Sequence, residues 1–319
     1  MPRSRTSRDR MKARKAAQSA RSSKRVKQLN LSLIQKPQAQ DIHRAVLKIL
    51  AEIGVRIEHP PTEKMLVEHG ATVGQDGYLR MPEEMVGKAI ESVPKELVLY
   101  DQNGQIRVRT NSDTVAYAPG HNCVRTLDFR TRELRSGTLD DIKRTAIVSE
   151  ACPNLDMAAS LGYPTDVPPE DEALETVRAM TDHTSKPIAF LAHDEVIQER
   201  IFDHLKTLAG GRAPLAEKPF ALELLGPVSP LKLPDELCQR LINCARWRVP
   251  VVCYPATFPG MSCPVTTAGA IAQSSAEALA GIVIHQIAEP GAPVMSGSAI
   301  LPMDLRQAEL AYGSPENLI

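Results

Sequence analysis

The stretch from 220 to 298 decides the fold, because it holds three short apolar runs: Phe220-Ala-Leu-Glu-Leu-Leu-Gly226, Val249-Pro-Val-Val-Cys-Tyr-Pro255 and Ala292-Pro-Val-Met-Ser-Gly-Ser298. Two segments with helical spacing, Pro234 to Trp247 and Thr266 to Ile287, separate these runs. Nearly continuous apolar strands that alternate with helices are typical of a parallel sheet covered on both faces. The stretch therefore predicts an α/β fold.

Each of the three predicted strands ends in small or polar residues, such as Gly226, Thr257 and Ser296. In parallel sheets of this kind, ligands bind at the edge where the carboxyl ends of the strands meet. We therefore expect the functional site at this edge.

The same unit of a strand followed by a helix recurs outside this stretch. The five units begin near Leu155, Pro187, Phe220, Val249 and Ala292. A closed barrel of such units needs eight strands. The sequence therefore predicts a (β/α)8 TIM barrel that is incomplete in this chain. Near the last residue, Ser314-Pro-Glu316 combines a capping residue, a first-turn proline and an acid, which is a strong helix opening. We therefore expect the chain to be a piece of a longer protein.

Three segments are expected along the chain. Residues 1–40 are predicted to be a basic disordered tail with a linker, 41–115 a small N-terminal α/β segment, and 116–319 the partial barrel. In the second segment, Asp41 can cap a helix from His43 to Ile53, and a Gln102-Asn-Gly104 turn predicts a β-hairpin.

The formal net charge of zero hides an asymmetry, because residues 1–28 hold eleven Lys and Arg against the single acid Asp9. Such a tail can contact nucleic acid or another polyanion, or can be a solvated extension; its Arg and Ser content also fits a transit peptide. The tail has no aromatic residue and the rest of the chain is acidic. We therefore interpret it as a solvated extension and do not expect nucleic acid as a partner.

Several classes of protein are disfavoured by composition. The N-terminus lacks the apolar segment of a secretory signal, and no apolar run approaches the roughly 20 residues that span a bilayer, so no membrane partner is expected. Six cysteines without a C-x-x-C pair favour a reduced, cytoplasmic location.

Several short motifs resemble, in their order along the chain, the trimethylamine methyltransferase family. The first three are Ile49-Leu-Ala-Glu-Ile-Gly-Val55, Leu66-Val-Glu-His-Gly-Ala71 and Met81-Pro-Glu-Glu-Met-Val86. The others are Pro227-Val-Ser-Pro-Leu231, Ala276-Glu-Ala-Leu-Ala-Gly-Ile282, Pro290-Gly-Ala292 and Gly313-Ser-Pro-Glu316. Together they cover most of residues 41–319.

The resemblance implies a TIM-barrel enzyme that moves a methyl group from a methylated amine to the cobalt of a partner corrinoid protein. Some members of the family act on trimethylamine, and others on quaternary amines such as glycine betaine. The corrinoid, a cobalamin-type cofactor, is then carried by the cognate partner and is not bound by this chain. A homo-oligomer is left open.

A site for a methylated ammonium group should present acceptors or aromatic faces to the cation, and donors to a carboxylate if the substrate has one. Glu223 lies inside an apolar strand. It either faces the barrel mouth and holds a cationic head group, or faces the helices and pairs with an Arg. Tyr254, at a strand end, either offers its ring and hydroxyl to the substrate or is a core residue. No catalytic residue is assigned.

Three further residues complete the predicted substrate site. Ser296 and Ser298 flank Gly297 at a strand end, and either line the site or permit tight packing. Glu277 lies among alanines in a long helix, and either serves the site or ties that helix to the barrel.

Other chemistries have weaker support. His121-Asn-Cys123 has the spacing of two zinc ligands, but no second Cys supports it, so no metal is predicted. His193 at a strand end is interpreted as a packed or surface residue. An aldolase would need a Schiff-base Lys at a strand end, whereas Lys186 and Lys218 precede their strands. The remaining alternatives are a non-catalytic amine-binding or interaction protein of the same fold, and an inactive truncated product.

Overall fold

The structure is a computed structural model that describes residues 34–110, 115–120, 123–304 and 306–315. All of them belong to one compact unit, Ile34–Ile319. The predicted basic tail and His121 of the zinc spacing lie outside the described residues.

Nine α-helices occur in the described part of the chain, numbered here in order. They are α1 (Lys36–Lys48), α2 (Pro60–Glu68), α3 (Glu83–Ser92), α4 (Leu139–Ala151), α5 (Glu172–His183), α6 (Glu195–Ala209), α7 (Arg212–Glu217), α8 (Asp235–Trp247) and α9 (Thr267–Ala288).

The strands are short and most pair only with one neighbour. They are β1 (Arg56–Ile57), β2 (Thr72–Val73), β3 (Leu79–Arg80), β4 (Val98–Tyr100), β5 (Ile106–Arg109), β6 (Thr126–Leu127), β7 (Leu134–Arg135), β8 (Ala158–Ala159), β9 (Ile188–Phe190), β10 (Ala221–Leu225), β11 (Lys232–Leu233), β12 (Val251–Cys253), β13 (Ala256–Thr257), β14 (Val294–Ser296), β15 (Ala299–Ile300), β16 (Met303–Asp304) and β17 (Glu309–Leu310).

The central sheet has five parallel strands in the order β8-β9-β10-β12-β14. Four of the five strand–helix connections inferred from sequence link neighbouring strands of this sheet, which confirms a parallel α/β architecture. One face packs against the helices through residues such as Phe190, Leu225 and Val251. These side chains alternate with those of the other face, as the pleat of a strand requires.

The second face of the sheet is covered by a β-hairpin and not by helices. Leu97, Leu99 and Val108 of the β4–β5 hairpin form a separate core cluster with Ala189 and Leu222 of the sheet. Asp101 closes this hairpin by accepting hydrogen bonds from the backbone of Asn103 and Gln105 and from Arg107. The sheet is thus covered on both faces, by different kinds of element.

Helix α1 begins at Lys36, seven residues before the predicted start at His43. The predicted linker therefore ends earlier than expected, because Pro37 lies in the first helical turn, where a missing N–H costs nothing. The helix continues into a π-helical turn, Ile49–Ile53, which ends at Gly54 with φ of 85°.

Helix α9 corrects the expectation that no segment is long and apolar enough to span a bilayer. Its 22 residues pass that test by length and composition alone, and 67% of the tested window is buried inside the protein. It packs closely on the central sheet, since a Cβ at Gly281 would lie 2.3 Å from Cys253 Sγ. In this structure α9 is a core helix.

Candidate functional site

The carboxyl edge of the sheet carries a row of residues that follow the five strands. Ala159 and Ala189 are register partners in β8 and β9. Tyr163 lies four residues after Ala159, and His193 lies four residues after Ala189. The two rings stack, with centroids 6.2 Å apart and an angle of 24° between their planes. Both residues lie beyond the ends of their strands, so the stacking of the two rings, and not the pleat of the sheet, shows that they are neighbours at the carboxyl edge.

The next positions of this row are Gly226, Tyr254 and Gly297. Val252 is the register partner of Leu224 and of Met295, and the three row positions lie two residues further on. A Cβ at Gly297 would lie 2.8 Å from Tyr254 Cβ, and a Cβ at Gly226 would lie 2.6 Å from the Tyr254 carbonyl oxygen. A larger residue at position 297 would therefore displace the side chain of Tyr254, and one at position 226 would clash with its backbone.

Together, the row reads Tyr163, His193, Gly226, Tyr254 and Gly297 across the five strands. Gly226 lies between His193 and Tyr254 in this order, and the backbone of Tyr254 packs directly against it. The row lies at the edge where the sequence predicted the functional site, and its aromatic residues are the candidate binding position.

Glu172, in the first turn of α5, holds His193. Its Oε2 lies 2.7 Å from His193 Nε2, and its Oε1 accepts a hydrogen bond of 3.0 Å from Thr176. The hydrogen bond to Glu172 raises the pKa of His193, while burial lowers it by less. The imidazole is therefore protonated more readily than an ordinary histidine.

The two tyrosines of the row keep their protons near neutral pH. Burial raises the pKa of Tyr163, with further contributions from Glu172 and Tyr254. Burial also raises the pKa of Tyr254, and Tyr312 adds to this effect. Neutral phenols present the electron-rich faces that attract methylated ammonium groups.

Glu223, predicted at the site, lies on the helix-facing side of β10 and is fully buried. Its Oε2 accepts hydrogen bonds from Gln198 at 2.5 Å and from Cys244 at 3.1 Å. Arg240 Nη1 lies 3.8 Å from its Oε1. The sequence left open whether Glu223 faces the barrel mouth or pairs with an Arg on the helix side, and the structure has the second arrangement. Burial raises the pKa of the Glu223 carboxyl group.

Glu277, in α9, is fully buried and binds the loop that follows β10. Its Oε2 accepts a hydrogen bond of 2.5 Å from Ser229, and its Oε1 accepts bonds from the backbone of Leu231 at 2.8 Å and from Gln273 at 2.9 Å. The loop holds a cis peptide bond before Pro230. The carboxylate thus ties a helix to the edge of the sheet.

Ser296 and Ser298, both predicted at the site, lie on the helix-facing side of the sheet. Ser296 is the register partner of Cys253, which packs toward the helices, and Ser298 Oγ lies 2.7 Å from the hydroxyl of buried Ser274 in α9. Of the five predicted site residues, Tyr254 is the one that the structure places in the row.

Sequence reasoning missed Tyr163 and Glu172 and assigned no role to His193. Tyr163 and His193 are equally distant in sequence from Ala159 and Ala189, which are register partners. This equal spacing could have indicated that the two rings are neighbours, but it requires the strand register to be known. Among the residues that the structure describes, no group of three or more His, Cys, Asp or Glu could hold a metal ion.

Known proteins resemble the chain over most of its length. It is 28% identical over 289 residues to a glycine betaine methyltransferase from Desulfitobacterium hafniense (strain Y51), covering 89% of this chain and 59% of that protein. It is 30% identical over 305 residues to trimethylamine methyltransferase MttB2 from Methanosarcina mazei, covering 90% and 59%. The chain thus spans less than two thirds of the length of these relatives.

Among solved structures, the monomethylamine methyltransferase MtmB of Methanosarcina barkeri matches with a TM-score of 0.46 and 11% identity, over 85% of this chain and 55% of that one. The sequence model described as trimethylamine methyltransferase (MTTB) matches residues 3–319. The chain therefore belongs to the trimethylamine methyltransferase family.

Proposed function

We propose that this chain is part of a methyltransferase that moves a methyl group from a methylated amine, either trimethylamine or a quaternary amine such as glycine betaine, to the cobalt of a partner corrinoid protein. In this reaction the C–N bond breaks and the nitrogen keeps its electron pair, so that a neutral amine leaves: dimethylglycine from glycine betaine, or dimethylamine from protonated trimethylamine. The corrinoid, when the partner brings it, supplies the nucleophile that accepts the methyl group. We assign no residue of this chain to the corrinoid itself.

We also propose that the five parallel strands belong to a (β/α)8 barrel. The support is their order, since each strand in the sheet lies next to the following one in the sequence. Parallel crossovers are right-handed, so adding strands always at the same edge places all connecting helices on one face. That is the arrangement of a barrel, whereas a doubly wound sheet reverses its strand order.

The row at the carboxyl edge is the observation that carries the proposed function. Tyr163 and Tyr254 are two neutral aromatic residues at this edge, and Gly226 beside Tyr254 carries no side chain. Aromatic faces bind quaternary ammonium groups without a formal charge of their own. The residues of this chain would bind and orient the amine and exclude water, which is the main contribution that such a transfer needs from the protein.

The test is methyl transfer to the reduced corrinoid partner, measured with a panel of methylated amines. Tyr254→Leu, which removes the ring, should lower the rate constant at subsaturating amine by at least about tenfold, equal to about 1.4 kcal/mol. Tyr254→Phe, which keeps the ring, should stay within about threefold of the parent. Amine binding without any transfer would instead favour a non-catalytic binding protein.

We further propose a cytoplasmic location. All six cysteines are free thiols, and burial raises the pKa of Cys238, Cys244, Cys253 and Cys263. Free thiols that stay protonated are suited to a reducing compartment.

A further inference from the structure

We propose that the β6–β7 hairpin, residues 124–136, is the surface on which the corrinoid protein docks. Its outer face is apolar and is flanked by arginines. This inference rests on the proposed function and deepens it, because it assigns a docking surface to the partner that the function requires. The matching surface of the partner should be apolar at its centre and carry carboxylates around that centre.

The first argument is the place of the hairpin, which is attached to the segment that carries Tyr163. Cys123, just before the hairpin, pairs with Gly162, and Gly137, just after it, pairs with Pro164. A Cβ at Gly137 would lie 2.6 Å from the Tyr163 carbonyl oxygen, so the two backbones are in direct contact. The hairpin therefore borders the carboxyl edge of the sheet, beside the candidate binding position.

The second argument is the outer face of the hairpin, which is apolar and uncovered. Leu127 and Leu134 are register partners, so their side chains lie side by side on one face. They are 50% and 57% exposed, and Phe129 in the turn is 68% exposed. Neighbouring exposed apolar side chains of this kind mark a surface that binds another protein.

The third argument is that the hairpin is already held in one conformation. Asp128 closes the turn by accepting hydrogen bonds from the backbone of Arg130 at 2.9 Å and of Thr131 at 3.1 Å. Arg135 donates to Asp128 at 3.2 Å and, through two nitrogens, to Asp141 in the first turn of α4 at 2.6 and 2.9 Å. A surface that is formed in advance loses little conformational entropy when a partner binds.

The fourth argument is the charge around the apolar face. Arg125, Arg130 and Arg132 are exposed, and in the part of the chain that the structure describes none of them forms an ion pair. The Arg130 guanidinium lies over the Phe129 ring, 5.2 Å from its centroid. The chain after residue 28 is acidic as a whole, so the hairpin is a local basic surface. Arginines without a carboxylate of their own favour a partner that supplies one.

The methyl acceptor is the partner that must reach this edge. The cobalt has to come within bonding distance of the methyl carbon, so its carrier protein has to sit over the edge that the hairpin borders. A second copy of this chain on the hairpin would occupy that approach. At the other end of the strand order, exposed Met261 and Val265 line an apolar groove with Pro302 and Met303. A carrier protein that spans the edge contacts both surfaces.

The experiment is calorimetric titration of the chain with the cobalamin-loaded corrinoid protein that serves as acceptor in the transfer assay. Leu134→Asn removes apolar contact, and Arg125→Glu places a like charge against the carboxylates of the partner. Each should weaken binding by at least about tenfold. The matched control is Leu208→Asn, a similarly exposed leucine in the last turn of α6, at the far end of that helix from the carboxyl edge. It should change the affinity by less than about twofold.

Two further measurements separate docking from chemistry. The affinity of the parent should fall as ionic strength rises, and Arg125→Glu should reduce this dependence. Free cob(I)alamin needs no docking surface for a protein. The ratio of the transfer rate to the corrinoid protein over the rate to free cob(I)alamin should therefore fall by at least about tenfold in Leu134→Asn. Calorimetry alone decides if the free cofactor is not methylated, and thermal unfolding of each variant separates lost docking from lost folding.

Unchanged affinity in both hairpin variants, or no binding of the corrinoid protein by the parent, would overturn the inference. It would also be overturned if Leu134→Asn separates copies of this chain in sedimentation and leaves corrinoid-protein binding unchanged, since the hairpin would then join two copies. The proposed function would survive any of these results if methyl transfer from an amine proceeds. Conversely, hairpin-dependent binding with no transfer from any amine would support the inference and refute the proposed function.

Discussion

Glu277 of α9 and Ser229 of the loop after β10 lie 48 positions apart in the sequence, and their side chains share a hydrogen bond of 2.5 Å. The same carboxylate accepts a bond from the backbone of Leu231, which has a positive φ of 53°. One buried acid therefore holds the conformation of the loop that starts at the row position Gly226.

Replacing this acid should destabilise the fold. Glu277→Ala leaves the Leu231 N–H and the Ser229 hydroxyl without their acceptor, and we expect a loss of about 2–4 kcal/mol in the free energy of unfolding. Urea unfolding measures it. Glu289→Ala, at a half-exposed ion pair with Arg248, is the control and should cost less than about 1 kcal/mol. Equal losses in the two variants would contradict this account of Glu277.

Lys186 is a second buried charged residue with a structural role. Its Nζ donates to the carbonyl oxygens of Ser149, Cys152 and Leu155, at and beyond the end of α4, and burial lowers its pKa. Lys186→Met should cost about 2–4 kcal/mol in the free energy of unfolding, because the carbonyl oxygens of Ser149 and Leu155 lose their partner. Exposed Lys64→Met in α2 should cost less than about 0.5 kcal/mol. Because the Lys186 amine is held by these carbonyl oxygens, it is not available to form a Schiff base, which disfavours the aldolase alternative.

His285 in α9 should make the protein sensitive to acid. Burial lowers its pKa to about 3. An unfolded histidine has a pKa of about 6.5, so between these values the unfolded state binds a proton that the folded state does not, and stability falls as pH falls. Between pH 8 and pH 4.5, His285 should lower the free energy of unfolding by about 2.7 kcal/mol. His285→Gln should remove that share of the decline, as measured by urea unfolding at both pH values; an unchanged decline would refute it.

Gly297→Ala should weaken amine binding at the row more than it destabilises the fold. The new Cβ would lie 2.8 Å from Tyr254 Cβ, so the tyrosine must shift. We expect amine affinity, measured by calorimetry, to fall by about tenfold or more, because cation–aromatic contacts depend on distance. The control is Gly87→Ala in α3, where a Cβ meets no neighbouring atom and the helix gains propensity. Unchanged affinity in Gly297→Ala would remove Tyr254 from the binding position.

The strand–helix order was readable from sequence because its signals are local. Apolar runs such as Val249 to Tyr254, helical spacing and Pro or Gly at the boundaries act over a few residues, and five strands appear where these signals predicted them. The start of α1 was misplaced because Pro37 was interpreted as part of a linker, whereas it occupies the first turn of a helix.

The site depended on information that is not local. Strand β10 is apolar on both faces, so its pattern does not say which face Glu223 takes, and a shift of one residue reverses every side chain. The pairing of Glu172 with His193 likewise joins residues 21 positions apart. The sequence by itself determined the parallel α/β order of elements. Only the tertiary structure, by setting the register between strands, placed Glu223 among the helices and Tyr254 on the opposite face, next to Gly297.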